Sequence, residues 1–268
     1  MMNSVKIGIS IAVGNWNLCL LRSKTIPEKL SDGERKGLEM KFLLYDTETT
    51  ALDTKKCGLH QLSGLIIEYE DLEFKILDKF DYRIQPFKGK SVVQSALDIG
   101  NLTLDILRSY PPPSRVFKQF TDLLGKHVDK FDTNDKLIQV GYNINFDKEV
   151  LRQWFTDCGD DYFGSWFFPN PIDVMSDATR VLAEVRPYMR NFKLGSVAEM
   201  LGCKVPFDKL HDSLEDVYLT FEVMKKCWCH PVPIPLDDFD IKIIEKQIDE
   251  KIADKNNPVK KNNTEGKF

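Results

Sequence analysis

The stretch KFLLYDTETT, residues 41–50, decides the reading of this chain. Phe42 to Tyr45 is an unbroken apolar run, the pattern of a strand covered on both faces. The run then turns polar at once, with Asp46 and Glu48 separated by Thr47. In extended backbone, residues i and i+2 point to the same side, so the two carboxylates emerge together at the strand end. Open α/β sheets bind their ligands beyond the carboxyl ends of their strands. Two like charges side by side cost energy unless a cation compensates, and a divalent metal ion is the usual answer. Taken alone, D-T-E also reads as the polar opening of a loop.

Working outward, Gln61 to Glu70 and Glu73 to Gln85 alternate as two further strands, a hairpin turning near Glu70-Asp71. Helical patterns follow. Thr103 is placed to cap Leu104 to Ser109, which Pro111-Pro112-Pro113 ends. Ser114 then caps a longer helix whose apolar stripe is Val116, Phe117, Phe120, Leu123, Leu124 and Val128. Leu137 to Gly141 is a short apolar strand, followed by a helix from about Phe146 to Phe155. Further helices are predicted around 174–184, 193–201 and 210–228. Strands first, then strand alternating with helix, predicts an α/β fold with a sheet partly antiparallel and partly parallel, flanked by helices.

The ends read differently. Residues 1–39 show no periodicity that supports a domain and form an N-terminal extension of unknown role. The main domain is expected over 40–235, and 236–268 as a charged, disordered tail with little to bury. Of 268 residues, 42% are hydrophobic, enough for a core. The longest apolar stretch, Val5 to Leu21, is broken by Asn15, Trp16 and Asn17, so a soluble, cytoplasmic protein with no membrane partner is expected. The 6 cysteines are scattered and read as free thiols. Cys227-Trp-Cys229-His230 lacks the usual C-x2-C spacing and a second pair to complete a metal clip. A net charge of −4 argues against a protein that coats duplexes, which needs a broad basic face. It is neutral about an enzyme that grips one strand end with bound divalent cations.

Two more segments carry candidate chemistry. In Asn143-Ile-Asn145-Phe146-Asp147, Phe146 packs inward while Asp147 falls in the first turn of a helix. There the dipole stabilises a carboxylate, whether as ligand or as mere cap. In His211-Asp-Ser-Leu-Glu215-Asp216, apolar spacing at Leu214, Val217, Tyr218 and Phe221 marks a core-facing helix. His211 and Asp216 flank a single site there, whereas Glu215 lies about 100° round the helix from Asp216. Asp212 reads as an N-terminal charge, and a lone histidine also reads as structural. The loop with Phe163, Trp166, Phe167 and Phe168 is open to two readings, base stacking or core packing, and core packing is favoured.

Together, D-x-E at a strand end, N-x-x-F-D after an apolar strand and H-x4-D on a late helix resemble the DEDDh exonucleases. This is the family of the proofreading epsilon subunit of bacterial DNA polymerase III, with RNase T and oligoribonuclease as relatives. The resemblance covers roughly 41–228, through LLYDTETTAL, VGYNINFDKEVLRQWF and LGSVAEMLGCKVPFDKLHDSLEDVYLTFEVM. Ile172-Asp173-Val174 resembles a further strand-end aspartate of the family. Ala51 departs from it, standing where many members have Gly, and should alter only local turn geometry.

The resemblance implies a ribonuclease H-like fold and 3′–5′ hydrolysis of single-stranded or frayed DNA ends to nucleoside 5′-monophosphates. It implies two Mg²⁺ or Mn²⁺ ions. Asp46, Glu48 and Asp216 would hold one; Asp46, with Asp147 directly or through water, would hold the other. His211 would serve as general base, an imidazole being neutral at cellular pH. Thr47, Thr49 and Asn143 would lie near the terminal nucleotide. A polymerase or replication complex is the implied partner. An exoribonuclease of the same fold and a catalytically silent binding subunit are the alternatives.

Overall fold

Met40–Thr49 form β1, the middle strand of a 5-stranded sheet. The computed structural model describes residues 40–70, 73–205, 212–230 and 232–256. β2 (Leu59–Glu70) lies antiparallel to β1, and β3 (Glu73–Arg83) antiparallel to β2, with Glu70 opposite Glu73 as the expected hairpin requires. On its other side β1 pairs in parallel with β4 (Ile138–Gly141), and β4 with β5 (Ile172–Asp173). The order β3-β2-β1-β4-β5 is the expected mixed sheet, antiparallel half first. Among the described residues the helices are α1 (Gln94–Ile99), α2 (Leu104–Ser109), α3 (Pro113–Leu124), α4 (Ile144–Asp157), α5 (Phe163–Trp166), α6 (Val174–Val181), α7 (Leu194–Met200), α8 (Ser213–Cys229) and α9 (Ile241–Asn256).

Strand alternation divides the core in two. Leu43 and Tyr45 point with Leu62, Ile66 and Phe80 toward α3, α4 and α5. Phe42 and Leu44 point with Leu65, Ile67 and Val140 toward α6, α7, α8 and α9. β1 is therefore apolar at consecutive positions because it is covered on both faces. Each such side chain contributes about 1.5–3 kcal/mol by leaving water. Tyr45 satisfies its buried hydroxyl by donating to Gln139 Oε1 at 2.9 Å, and burial pushes its acidity well away from the ordinary tyrosine range. Phe163, Trp166 and Phe167 are all buried, with the Phe163 and Phe167 rings 4.8 Å apart, and Phe168 is half-buried, so most of this aromatic segment is core.

Four elements differ from expectation: Phe163–Trp166, read as a loop, is the short helix α5, and three others follow. α3 starts at Pro113 with Pro112 as N-cap and no side-chain cap bond, so Ser114 sits inside the first turn. A proline at the first helical position already has the helical φ and lacks only a donor that would go unused there. α1 had no counterpart in the sequence reading, because it buries Leu97 alone and shows no stripe.

The last is α9, which lies within the 236–268 stretch expected as a disordered tail. Ile244 and Gln247 are buried in it, and Gln247 Nε2 donates to Ser196 O at 2.9 Å. Arg190 pairs with Asp254 at 2.7 Å, and Lys246 with Glu199. Its inward stripe contains a glutamine whose amide is satisfied by α7 and by the Arg190 N–H, so a composition test reads it as solvent-facing. No helix among the described residues is long and apolar enough to cross a membrane.

Candidate active site

β1 stays in register past its apolar part, with Asp46 opposite Ser63, Thr47 opposite Leu62 and Glu48 opposite Gln61. Alternation puts Asp46 and Glu48 on the α8 side, continuing Phe42 and Leu44. Thr47 continues Leu43 and Tyr45, toward α4. There its N–H and its hydroxyl both donate to Asp147 Oδ1, at 3.0 and 2.6 Å. Thr47 is fully buried and Asp147 is 2% exposed. The residue between the two carboxylates of D-T-E thus straps the third carboxylate to the strand.

The start of α4 is set by its own supports. Asn143, the N-cap, adopts the left-handed conformation (φ 60°, ψ 42°) and makes no side-chain cap bond. Asparagine tolerates that conformation better than most residues. Its N–H donates to Asp173 Oδ1 at 2.9 Å, which also accepts from Met175 N at 3.1 Å. Ser176 Oγ donates to Asp173 Oδ2 at 2.8 Å. Asp173 therefore caps α6 and holds the β4–α4 turn. At Gly141 a Cβ would stand 2.7 Å from Ile144 Cδ1 and 3.0 Å from the Tyr45 carbonyl, so only glycine lets that turn close on β1.

On the opposite face α8 begins beside Asp46. Asp212 caps it by accepting from Leu214 N at 3.1 Å, and Ser213, fully buried, donates its hydroxyl to the Asp46 carbonyl at 3.1 Å. Asp216 follows in the first turn, where the helix dipole favours negative charge. Asp46 Oδ2 and Asp216 Oδ1 are both shielded from solvent.

A polar strip continues sideways across the sheet. Ser63 Oγ and Gln61 Nε2 donate to Asp81 Oδ1 at 2.8 and 2.9 Å. Arg83 donates to Gln61 Oε1 and lies 3.9 Å from Asp212. This strip was missed from the sequence. Its signal was there, as polar residues at i and i+2 in both β2 and β3.

The predicted site residues thus fall as follows. Asp46 and Glu48 stand at the end of β1, Asp216 lies in the first turn of α8, whose Ser213 bonds the Asp46 carbonyl, and Asp147 reaches Thr47 of the same strand from α4. His211 lies outside the described residues. Thr47, expected at the substrate, is buried behind the carboxylates with its hydroxyl committed to Asp147. Thr49 donates its hydroxyl to the Ala51 carbonyl at 2.9 Å, and Asn143 donates its backbone N–H to Asp173. Among the described residues no three His, Cys, Asp or Glu side chains are grouped so as to hold a metal ion. The donors are all carboxylates, the type that suits hard divalent cations.

Sheet order and helix placement define the class as a ribonuclease H-like α/β fold. Within it, the chain shares the fold of exonuclease I. The Escherichia coli enzyme in its zinc-bound complex with single-stranded DNA superposes with a TM-score of 0.54 at 21% identity, covering 69% of this chain and 40% of that one. Exonuclease I from Methylocaldum szegediense gives 0.54 at 21% identity, covering 70% and 40%. In sequence the chain is homologous to the PolC-type DNA polymerase III of Bacillus cereus, 22% identical over 205 residues. That match takes in 75% of this chain and 12% of the polymerase, so the chain spans a small part of that relative. No protein-family model matches.

Proposed function

We propose that this chain is a metal-dependent 3′–5′ exonuclease that removes nucleoside 5′-monophosphates from single-stranded or frayed DNA ends. One observation carries the reading. Asp46 and Glu48 share one side of the central strand's end, Ser213 at the start of the helix that carries Asp216 bonds the Asp46 carbonyl, and Asp147 is bonded to Thr47 between them. The shared fold with exonuclease I and the homology to a PolC-type polymerase support it. A DNA polymerase or replication complex is the partner this reading names.

Asp46, Glu48 and Asp216 would hold one Mg²⁺ or Mn²⁺, and Asp46 with Asp147 the second. Thr47 keeps Asp147 in place through two hydrogen bonds. Bound there, such cations would supply positive charge to the scissile phosphate and lower the pKa of the attacking water. In the reaction an oxygen–phosphorus bond forms to water and the bond from phosphorus to the 3′ oxygen breaks. His211 takes the proton from the attacking water, and the leaving 3′ oxygen regains one from solvent. Thr49 lies beside the terminal nucleotide.

The test is digestion of 5′- and 3′-labelled single-stranded DNA and RNA with Mg²⁺, Mn²⁺ or EDTA. Release of 5′-monophosphates from the 3′ end, abolished by EDTA and by Asp46→Ala or His211→Ala, is the expected result. Full activity in either variant defeats the assignment of roles, and attack on a blocked 3′ end defeats the polarity. Preference for RNA shifts the reading to the exoribonuclease of the same fold.

A further inference from the structure

A second cleft lies against the segment that is bonded to the strand-end loop after Thr49. The segment after β3 is stitched to the residues that follow Thr49: Thr50 Oγ1 donates to the Ser91 carbonyl at 2.5 Å, and Val93 N to the Thr50 carbonyl at 2.8 Å. Between this segment and α2 runs an open cleft of about 590 Å³, within the usual range for ligand sites. Its walls combine apolar surface from Pro86, Val92 and Leu104 with the cations Lys88, Lys90 and Arg108.

The turn Lys88-Gly89-Lys90 shapes the rim. Gly89 sits at φ +89°, open to glycine without strain, and this sharp turn separates the two lysines. Lys90 turns inward to Asp157 at 2.5 Å and to the Lys55 carbonyl at 3.2 Å, so it anchors the segment. Lys88 is exposed. Arg108 pairs with Asp105 at 3.1 Å, but the two side chains are 70% and 90% exposed, so water and salt screen that pair and a phosphate can replace it.

On a chain with net charge −4, a cleft whose lining carries cations and no carboxylate calls for an anion. Its apolar floor calls for a ligand that alternates charge with flat hydrophobic surface. Single-stranded nucleic acid has both. We propose that the cleft between the 85–92 segment and α2 binds the phosphodiester backbone of a single strand upstream of its 3′ end, with Lys88 and Arg108 as the phosphate contacts. This rests on the exonuclease reading for direction: a strand whose end reaches Glu48 and Thr49 passes next over Thr50 and the segment bonded to it. An acidic peptide is the competing occupant, but continuity with the strand-end loop favours nucleic acid.

The probe is a nuclease-resistant phosphorothioate oligothymidylate of about 12 nucleotides, followed by fluorescence anisotropy in Mg²⁺ at several salt concentrations. Lys88→Glu with Arg108→Glu is expected to weaken binding about tenfold, and to lower the salt slope by roughly 1.4, the release expected from two single-strand phosphate contacts. Lys88→Gln with Arg108→Gln should show the same slope change, and thermal melting checks that both variants fold. A thymidine dinucleotide, too short to reach the cleft, should lose much less affinity than the long probe. Unchanged affinity and slope for the long probe overturn the proposal, as does equal loss for both lengths. Loss of poly-glutamate binding with oligothymidylate unaffected assigns the cleft to an acidic peptide and overturns it too. A chain that binds the long probe through Lys88 and Arg108 yet hydrolyses nothing defeats the exonuclease reading and leaves the cleft standing.

Discussion

Replacing Thr47 by valine keeps the shape of a fully buried side chain and deletes one hydrogen bond to an almost fully buried carboxylate. The bond lost is the 2.6 Å contact from Thr47 Oγ1 to Asp147 Oδ1; the 3.0 Å contact from the Thr47 N–H to the same oxygen remains. Hydrogen bonds to charged groups contribute about 1.5–3 kcal/mol, and the carboxylate cannot recover the loss from solvent. In a domain of this size each kcal/mol moves the melting temperature by roughly 2–4 °C, so a loss of ~2 kcal/mol lowers it by roughly 4–8 °C. Valine's extra burial of a methyl group does not offset this, because its cost is the desolvated oxygen left behind. Calorimetry of the wild type, Thr47→Val and Thr47→Ser measures the effect. Serine keeps the hydroxyl and should fall between wild type and valine. Exonuclease rate on a labelled strand should drop in the valine variant as well, since Asp147 loses one of its two restraints from β1. Equal melting temperatures for valine and wild type, with equal rates, refute the claim that Thr47 holds Asp147.

Gly141→Ala should lower stability by about 1–3 kcal/mol, because a Cβ placed 3.0 Å from the Tyr45 carbonyl forces backbone to move; chemical denaturation reads it. Asp173→Ala removes the acceptor for Asn143 N, Met175 N and Ser176 Oγ. It should cost about 0.5–2 kcal/mol from the α6 cap alone and speed amide exchange at the start of α4 more than at its end. Ending the chain after Asp240 should lower the melting temperature and expose α7, as Ile244 and Gln247 lose their contacts; an unchanged melt shows that α9 does not brace the domain. Burial pushes the Cys57 thiol up to about 11 and the Cys227 thiol up to about 12. The folded state therefore binds more protons than the unfolded one above the ordinary thiol value near 9. Stability should be level below that value and fall as pH rises through about 9 to 11, with a shallower fall in Cys57→Ala, as melts across alkaline pH will test.

Much of this protein is written in local pattern. The apolar run Phe42–Tyr45 marks a strand covered twice, and a period of two is enough to put Asp46 and Glu48 on one side. The α3 stripe and the Thr103 cap follow from spacing and from one hydroxyl oxygen three residues ahead of the N–H it accepts from, Ile106 N at 3.2 Å. These features depend on neighbours in sequence, so a sequence displays them. The tertiary structure alone decided the rest. Thr47 and Asp147 are 100 residues apart, and only the parallel pairing of β4 beside β1 brings α4 onto Thr47. The joining of Ser213 to Asp46 across 167 residues likewise depends on where α8 lands on the sheet. α9 looks like a tail until α7 supplies acceptors for Gln247. A residue type announces which bonds it is able to make; the sheet order determines which partner is within reach to make them.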